Sequence, residues 1–173
     1  MQFYAYKDKQ PIIAASCFIA GGARIVGDVI LHENVSVWFN TVIRGDSGQV
    51  IVGANTNIQD NCTLHTDKGT PCILGENITV GHNAVVHACN IADNCLIGMN
   101  ATVLSGAIVG TNSIVAAGAV LGERKEVPPG TLYAGVPAKF IRNLTEAEIT
   151  SLKQAADNYL KYAQGYKSPT ANP

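Results

Sequence analysis

The sequence predicts a mainly β protein: a solenoid of short stacked strands that ends in a single α-helix. Three observations carry this prediction. Aliphatic residues recur every six positions, turn-forming and small residues follow them at fixed offsets, and a helical pattern replaces both after Pro137. Neither the 3.6-residue period of a helix nor the two-residue alternation of a strand produces a six-residue period.

The aliphatic positions define the predicted strands. Of the 20 positions in this six-residue series, 19 are Ile, Leu or Val and the last is tyrosine. Insertions after Ile43 and Leu64 and one missing residue after Val86 shift the series without ending it. Internal repetition of this kind indicates a solenoid in which each coil buries its aliphatic side chains against its neighbours. The series is Ile13, Ile19, Ile25, Leu31, Val37, Ile43, Val52, Ile58, Leu64, Leu74, Val80, Val86, Ile91, Ile97, Val103, Val109, Val115, Leu121, Val127 and Tyr133.

The residue three positions after each aliphatic predicts the corners between strands. It is Asn, Asp or Gly in 16 of the 20 repeats, and these residue types accept a left-handed backbone at low cost. The next position is often small, and Cys17, Cys62 and Cys95 within it are expected in the core. If three edges close one turn, a coil is about 18 residues long and neighbouring coils lie about 4.8 Å apart.

The chain is expected to divide into three parts. Residues 1–140 form the solenoid, residues 141–166 form a helix packed on it or on a neighbouring subunit, and residues 167–173 are a tail. A Thr-x-x-Glu capping box at Thr145 marks the start of the helix, and Gly165 is expected to end it. A single helix of this length needs tertiary packing to be stable.

Composition excludes several classes of function. A net charge of −1 at pH 7 provides no basic surface for nucleic acid, and no run of about 18 apolar residues could cross a membrane. The polar start, Met1 to Lys9, does not resemble a signal peptide. The five cysteines contain no CxxC pair, which favours a reducing compartment over a disulfide-stabilised fold. We therefore expect a cytoplasmic protein with neither a nucleic-acid nor a membrane partner.

The six-residue series places two histidines in one column. His65 and His87 each follow directly after an aliphatic position, and one full coil of three edges separates them. Arg44 follows its own aliphatic in the same way, one coil lower. Two stacked imidazoles at strand spacing can share one metal ion, with nitrogen–metal bonds of about 2.1 Å. The alternative is that these histidines are ordinary polar surface residues.

A third histidine is expected on a different face of the solenoid. His82 lies two positions after Val80, and Asp60 occupies the same column one coil beneath it. His82 therefore cannot easily join the His65–His87 pair of its own chain. In a threefold ring, however, His82 of one subunit can meet the pair of the next. The spacing therefore predicts metal sites at the interfaces between subunits.

The residues around the histidines resemble the γ-class carbonic anhydrases, which are hexapeptide-repeat proteins. The matching motifs are Arg44-Gly-Asp46, Asn57-Ile-Gln-Asp60-Asn-Cys-Thr-Leu-His65, Gly81-His82-Asn-Ala-Val-Val-His87 and Tyr133-Ala-Gly-Val-Pro-Ala-Lys139. The resemblance implies a left-handed parallel β-helix, a homotrimer and three metal ligands, His65, His87 and His82 of a neighbouring subunit. It implies a carbonate dehydratase, a lyase that hydrates carbon dioxide reversibly with a metal-bound hydroxide. The implied metal is Zn²⁺, with Fe²⁺ or Co²⁺ as other occupants.

The same resemblance implies roles for residues that do not bind the metal. Gln59 would orient the bound hydroxide, and Arg44, Asp46 and Asp60 would form a charge network between subunits. Tyr159 could reach the site from the helix, although its place on the apolar helix face favours packing. Two alternatives stay open, since Asp46 could be an ordinary corner residue and Asp60 a plain surface carboxylate.

The sequence departs from the best-characterised branch of that family at the step that carries protons to solvent. Members of that branch have a long acidic loop between the first two histidines. Here only 16 residues separate His65 from His82, the insertion at Asp67 to Pro71 contains no glutamate, and position 47 is serine. Hydration is therefore expected to be slow.

Two other functions are compatible with the predicted fold. A hexapeptide-repeat acyltransferase would use one histidine as general base, and a non-catalytic scaffold of the same fold would bind metal without turnover. Fold alone does not separate these functions. For a small uncharged substrate, Ile58 and Leu64 are expected to form apolar walls.

Overall fold

The computed structural model describes residues 2–167, which form a parallel β-solenoid of about seven turns with a single C-terminal helix. This architecture confirms the predicted fold class. Of the expected tail, residues 168–173 lie outside the described residues, and Lys167 is the last residue of the helix. Among the described residues, no helix combines the length and apolar character needed to span a bilayer.

The strands stack in three ladders, one for each face of the solenoid. The first ladder contains β1 (Phe3–Tyr4), β4 (Arg24–Leu31), β6 (Val42–Val52), β8 (Thr63–His65), β11 (Val85–His87), β14 (Thr102–Val103) and β17 (Val120–Leu121). The second contains β2 (Ile12–Ile13), the later parts of β4 and β6, β9 (Cys72–Leu74), β12 (Asn90–Ile91), β15 (Ile108–Val109) and β18 (Glu126–Val127). The third contains β3 (Phe18–Ile19), β5 (Ser36–Val37), β7 (Asn57–Ile58), β10 (Thr79–Val80), β13 (Leu96–Ile97), β16 (Ile114–Val115), β19 (Thr131–Ala134) and β20 (Lys139–Asn143).

The register of the ladders confirms the six-residue series. Ile43, Leu64 and Val86 pair across β6, β8 and β11, so residues one full coil apart lie directly above one another. The aliphatic side chains of the series point inward and form one continuous core, fully buried except near the two ends. Burial of each such aliphatic side chain stabilises the folded state by about 1.5–3 kcal/mol relative to leaving it exposed. Cys62 and Cys95 lie in this core, as expected.

Most corners adopt the left-handed backbone that the sequence predicts. Nine asparagines three positions after an aliphatic have φ between 55° and 60°: Asn34, Asn40, Asn55, Asn61, Asn77, Asn83, Asn94, Asn100 and Asn112. Asparagine is among the few residue types that visit this region readily.

Two corners differ, because β4 and β6 run on through them. Asp46 therefore lies within strand β6 and, unlike the asparagines of the other corners, does not adopt the left-handed backbone. The backbones of the two strands approach closely where they pair. A Cβ atom on Gly45 would lie 2.3 Å from the Asp28 carbonyl oxygen, and the register shifts between Gly27 and Val29.

The C-terminal helix α1 (Glu146–Lys167) packs against the third ladder, in contact with β3, β5, β7 and β10. Its buried side chains are Leu152, Ala156 and Ala163. The helix thus packs on the solenoid of its own chain, which is one of the two arrangements that we expected. The expected boundary after residue 140 falls within β20, which continues the sheet to Asn143.

Gly165 does not end the helix, contrary to the expectation. The helix continues to Lys167 because tertiary contacts hold its last turn. The Tyr166 ring centroid lies 5.5 Å from that of Trp38, and the Lys167 ammonium group donates to the Ser16 carbonyl oxygen at 2.6 Å. Contacts between distant parts of the chain therefore outweigh the helix-ending tendency of glycine.

The capping box forms as predicted, and its removal has a measurable cost. The Thr145 backbone N–H donates to Glu148 Oε2 at 2.9 Å, and the Glu148 N–H donates to Thr145 Oγ1 at 3.3 Å. Replacing Thr145 with alanine is expected to lower the free energy of unfolding by about 1 kcal/mol, or about 2–4 °C in a thermal melt. Thr150→Ala is the matched control, because its hydroxyl donates only within the helix. Equal losses in the two variants would contradict the role of the cap.

Candidate metal centre

The ladder register places Arg44, His65 and His87 in one column on three consecutive coils. The centroids of the two imidazole rings are 5.1 Å apart, and His65 Nδ1 lies 3.1 Å from His87 Nε2. The side chains are 17% and 26% exposed, respectively. The two rings therefore meet at a partly buried position that solvent can reach.

Asp46 holds the outer nitrogen of His65. Its Oδ1 lies 2.9 Å from His65 Nε2, and its Oδ2 accepts a hydrogen bond from the Arg44 guanidinium. Burial favours the neutral acid, but hydrogen bonds from His65 and Arg44 outweigh it and lower the pKa of Asp46 to about 2. An ionised carboxylate only accepts hydrogen bonds. We therefore assign the His65 proton to Nε2, which leaves a lone pair on Nδ1 facing His87.

Two residues that the sequence analysis did not identify lie beside the outer nitrogen of His87. Ser105 Oγ is 3.1 Å from His87 Nδ1, and the Ser105 hydroxyl donates to Asp67 Oδ2 at 2.6 Å. A sequence signal for both residues exists. Asp67 lies two residues after His65 in the corner column, and Ser105 follows Val103, the aliphatic one coil beyond that of His87.

His82 lies on the third ladder, at the corner that follows β10, and pairs with Asp60. His82 Nδ1 is 2.7 Å from Asp60 Oδ2, while Asp60 Oδ1 accepts from the Phe39 backbone N–H at 3.1 Å. The Asp60 contact engages Nδ1 of His82 and leaves Nε2 to act as a ligand. The His82 side chain is 38% exposed.

Gln59 belongs with His82 and not with the His65–His87 column. Its Oε1 accepts from the His82 backbone N–H at 3.2 Å, and its Nε2 donates to Asn57 Oδ1, also at 3.2 Å. Asn57 in turn donates to Thr79 Oγ1 at 2.9 Å. Gln59 is thus buried and held by this network.

Tyr159 faces a cavity of about 620 Å³ between the helix and the third ladder. Its ring packs edge-on against Trp38, with centroids 5.4 Å apart. Burial, followed by the nearby Asp60 carboxylate, raises the pKa of the Tyr159 hydroxyl. The structure thus brings Tyr159 near Asp60 in a packing role. The cavity is lined by Trp38, Phe39, Asp60, Tyr159, Lys161, Tyr162, Gly165 and Tyr166.

The expected apolar walls are wrong. Ile58 and Leu64 are fully buried inside the solenoid, because every member of the six-residue series points inward. The exposed apolar side chains near His82 are instead Phe39 and Met99, which are 37% and 53% exposed. Both lie in the outward-facing column that contains Asp60 and His82, as the pairing of their strands shows.

Within residues 2–167, no three His, Cys, Asp or Glu side chains converge to hold a metal ion. His65 and His87 meet on the first ladder, whereas His82 lies on the third. One chain therefore presents a pair of adjacent imidazoles on one surface and a single imidazole on another.

Known proteins are similar to this chain in both sequence and fold. A family model described as "Bacterial transferase hexapeptide (six repeats)" matches residues 88–123. A carbonic anhydrase of Geobacillus kaustophilus is 46% identical over 165 residues, covering 95% of this chain and 91% of that protein. "Gamma carbonic anhydrase 1, mitochondrial" of Arabidopsis thaliana is 41% identical over 172 residues. That match covers 96% of this chain, which spans 62% of the length of the plant protein.

A solved structure shares the fold along nearly the whole chain. The crystal structure of a hexapeptide transferase family protein from Anaplasma phagocytophilum has a TM-score of 0.92 and 41% identity. The match covers 95% of this chain and 98% of that one. The relatives of this chain are therefore named for two kinds of activity, carbonic anhydrase and transferase. The 46% identity, which extends over nearly the whole length of this chain and of the Geobacillus protein, shows that this chain belongs to the γ-class carbonic anhydrase family. The named members of this family are lyases.

Proposed function

We propose that the protein is a metal-dependent carbonic anhydrase that hydrates carbon dioxide reversibly at sites shared between the subunits of a homotrimer. One observation carries the proposal: His65 Nδ1 and His87 Nε2 lie 3.1 Å apart on adjacent coils. Nitrogen ligands with bonds of about 2.1 Å on a tetrahedral centre are about 3.4 Å apart. The two rings therefore need only a small adjustment to share one ion. Neutral imidazoles suit Zn²⁺, with Fe²⁺ or Co²⁺ as alternatives.

His82 of a neighbouring subunit would supply the third ligand. Its ring is held by Asp60 through Nδ1, so that Nε2 is the ligating nitrogen. A contact between unlike surfaces that repeats around a threefold axis closes into a ring, and this would give three equivalent sites. Arg44, Asp46 and Asp60 would then lie where the two surfaces meet and support both the contact and the site.

Three imidazoles would hold the metal ion, which would lower the pKa of a bound water to about 7 and so supply hydroxide at neutral pH. Asp46 and Asp60 would keep the ligand rings oriented. Gln59 would arrive with His82 and orient the attacking oxygen through its carboxamide. Each polar atom of that carboxamide makes one hydrogen bond within the subunit, and the second N–H or the second oxygen lone pair of the amide would serve this role. Met99 and Phe39 would provide apolar surface for carbon dioxide.

An acyltransferase is the second candidate, favoured by the Anaplasma structure of the transferase family. Such an enzyme needs one histidine as general base. Acyl transfer does not explain why two imidazoles lie on adjacent coils, or why Asp46 holds one of them and Ser105 the other. The stacked pair therefore favours a metal site over an acyl-transfer site.

The cysteines support a reducing compartment, and we place the protein in the cytoplasm. All five cysteines are free thiols. Burial raises the pKa of Cys62 to about 12 and that of Cys95 to about 11, so these thiols stay protonated and unreactive. The partners that we propose are further copies of this chain and a small-molecule substrate.

Exchange between carbon dioxide and bicarbonate is expected to be slow in the zinc-loaded protein and faster when imidazole buffer is added. The insertion after His65 contains no glutamate, and its one carboxylate, Asp67, is already bonded to Ser105. Oxygen-isotope exchange measured by mass spectrometry at several imidazole concentrations tests this. Fast exchange without buffer would show another proton route. Exchange no faster than without protein would overturn the proposed enzyme and leave a scaffold.

A further inference from the structure

We propose that Ser105 and Asp67 are positioning residues that hold His87 in the tautomer required for metal binding. This inference rests on the proposed metal site at His65 and His87. Ser105 and Asp67 would not touch carbon dioxide, because they act on the side of the His87 ring that faces away from His65. Their role would be to decide which nitrogen of that ring has a free lone pair.

Ser105 links the outer nitrogen of His87 to a carboxylate. Ser105 Oγ lies 3.1 Å from His87 Nδ1 and 2.6 Å from Asp67 Oδ2, while His87 Nδ1 and Asp67 Oδ2 are 3.8 Å apart. The Ser105 hydroxyl has a single proton, and it donates that proton to Asp67 Oδ2, because a carboxylate is the stronger acceptor. Ser105 Oγ then has only lone pairs to offer His87. The hydrogen bond between them therefore requires the proton to be on His87 Nδ1.

This assignment directs a second lone pair toward His65. A neutral imidazole protonated on Nδ1 has its lone pair on Nε2, the atom that lies 3.1 Å from His65 Nδ1. Asp46 imposes the complementary tautomer on His65. Two lone pairs thus face each other, an arrangement that a cation between them would stabilise. If Ser105 donated to Nδ1 instead, His87 Nε2 would carry a proton that a metal ion must displace.

The insertion after Leu64 places Asp67 where this link needs it. Asp67 and Thr70 exchange backbone hydrogen bonds of 3.3 and 3.1 Å across a tight turn, in which Gly69 has a φ of +80°. The Asp67 carboxylate then bonds to Ser105, 38 residues further along the chain. Although its side chain is half exposed, Asp67 is oriented by the turn and by this bond. The short insertion would thus supply a positioning carboxylate.

The Asp67→Asn variant tests the link most sharply. Its side-chain amide can donate to Ser105 Oγ, and the Ser105 hydroxyl then becomes free to donate to His87 Nδ1. We expect His87 to shift toward the tautomer protonated on Nε2, and zinc affinity to fall about 10–100-fold at fixed pH. Ser105→Ala is expected to lose less, because Asp67 can approach His87 Nδ1 directly from 3.8 Å. Ser105→Thr retains the hydroxyl and should retain the affinity.

Two measurements are needed. Competition between the protein and a chelator for zinc alone gives the affinity, and nitrogen NMR of the metal-free protein labelled at histidine shows which ring nitrogen carries the proton. A merely structural role would leave the tautomer unchanged. Thr111→Ala is the matched control, since its exposed hydroxyl donates to a corner carbonyl, that of Asp93, at 2.9 Å.

The outcomes separate this inference from the proposed function. An Asp67→Asn protein with wild-type tautomer and affinity would overturn the positioning role and leave the metal site intact. Wild-type protein that binds zinc no better than His87→Ala would overturn the metal site itself. If Asp67→Asn does not fold, Asp67→Ala provides the same comparison, because loss of the carboxylate also frees the Ser105 hydroxyl to donate to His87 Nδ1. A wild-type tautomer and affinity in that variant would overturn the role.

Discussion

Replacing His87 with alanine is expected to abolish metal binding while the solenoid stays folded. Within the described residues, this imidazole supplies one of the two ligand nitrogens that lie side by side. A site of the proposed trimer would then keep only His65 and His82 of the neighbouring subunit, and two ligands hold a divalent ion weakly. The fold should survive because Val86, the neighbouring member of the six-residue series, is fully buried and sets the register of β11. The His87 side chain, 26% exposed, lies outside this core. His65→Ala is expected to behave in the same way.

The measurement is elemental analysis of protein equilibrated with zinc and then dialysed, together with a thermal melt followed by circular dichroism. His32→Ala is the matched control, because His32 is exposed and lies in neither histidine column. It should keep the full metal content. One equivalent of zinc per chain in a folded His87→Ala protein would contradict the ligand assignment.

Much of the fold could be predicted because the repeat is short and each repeat has one inward-facing aliphatic. Counting three edges from Leu64 to Val86 was sufficient to place His65 beneath His87, and the ladder register agrees. Departures from the prediction occur where contacts between distant residues override local preference. β6 continues past the expected corner because it stays paired with β4 across a register shift between Gly27 and Val29. Tyr166 keeps Gly165 within the helix by packing against Trp38 on the third face.

The candidate site was predictable only in part. Residues in a regular column, such as Arg44, His65 and His87, follow from spacing alone. The contact between Ser105 and Asp67 does not, although both residues have regular positions in the series, because it depends on the shape of an insertion that interrupts the repeat. The expectation for Ile58 and Leu64 failed for a simpler reason. The same series that predicts their strands requires both side chains to point into the core.

Mixing His82→Ala protein with His65→Ala protein is expected to restore part of the metal binding that each variant lacks alone. If a site needs His65 and His87 from one subunit and His82 from the next, every mixed trimer regains one complete site. Random mixing of equal amounts makes about three quarters of the trimers mixed, which gives about one quarter of the wild-type metal content. Mixing His65→Ala with His87→Ala is the control, because no subunit in that mixture retains both members of the pair.

Zinc content of the reassembled mixtures, measured after native mass spectrometry has shown that mixed trimers form, tests the sharing of ligands between chains most directly. We predict about one quarter of the wild-type zinc in the His82→Ala and His65→Ala mixture, and background zinc in the control mixture. Background zinc in both mixtures, although mixed trimers are present, would contradict a site built from two subunits.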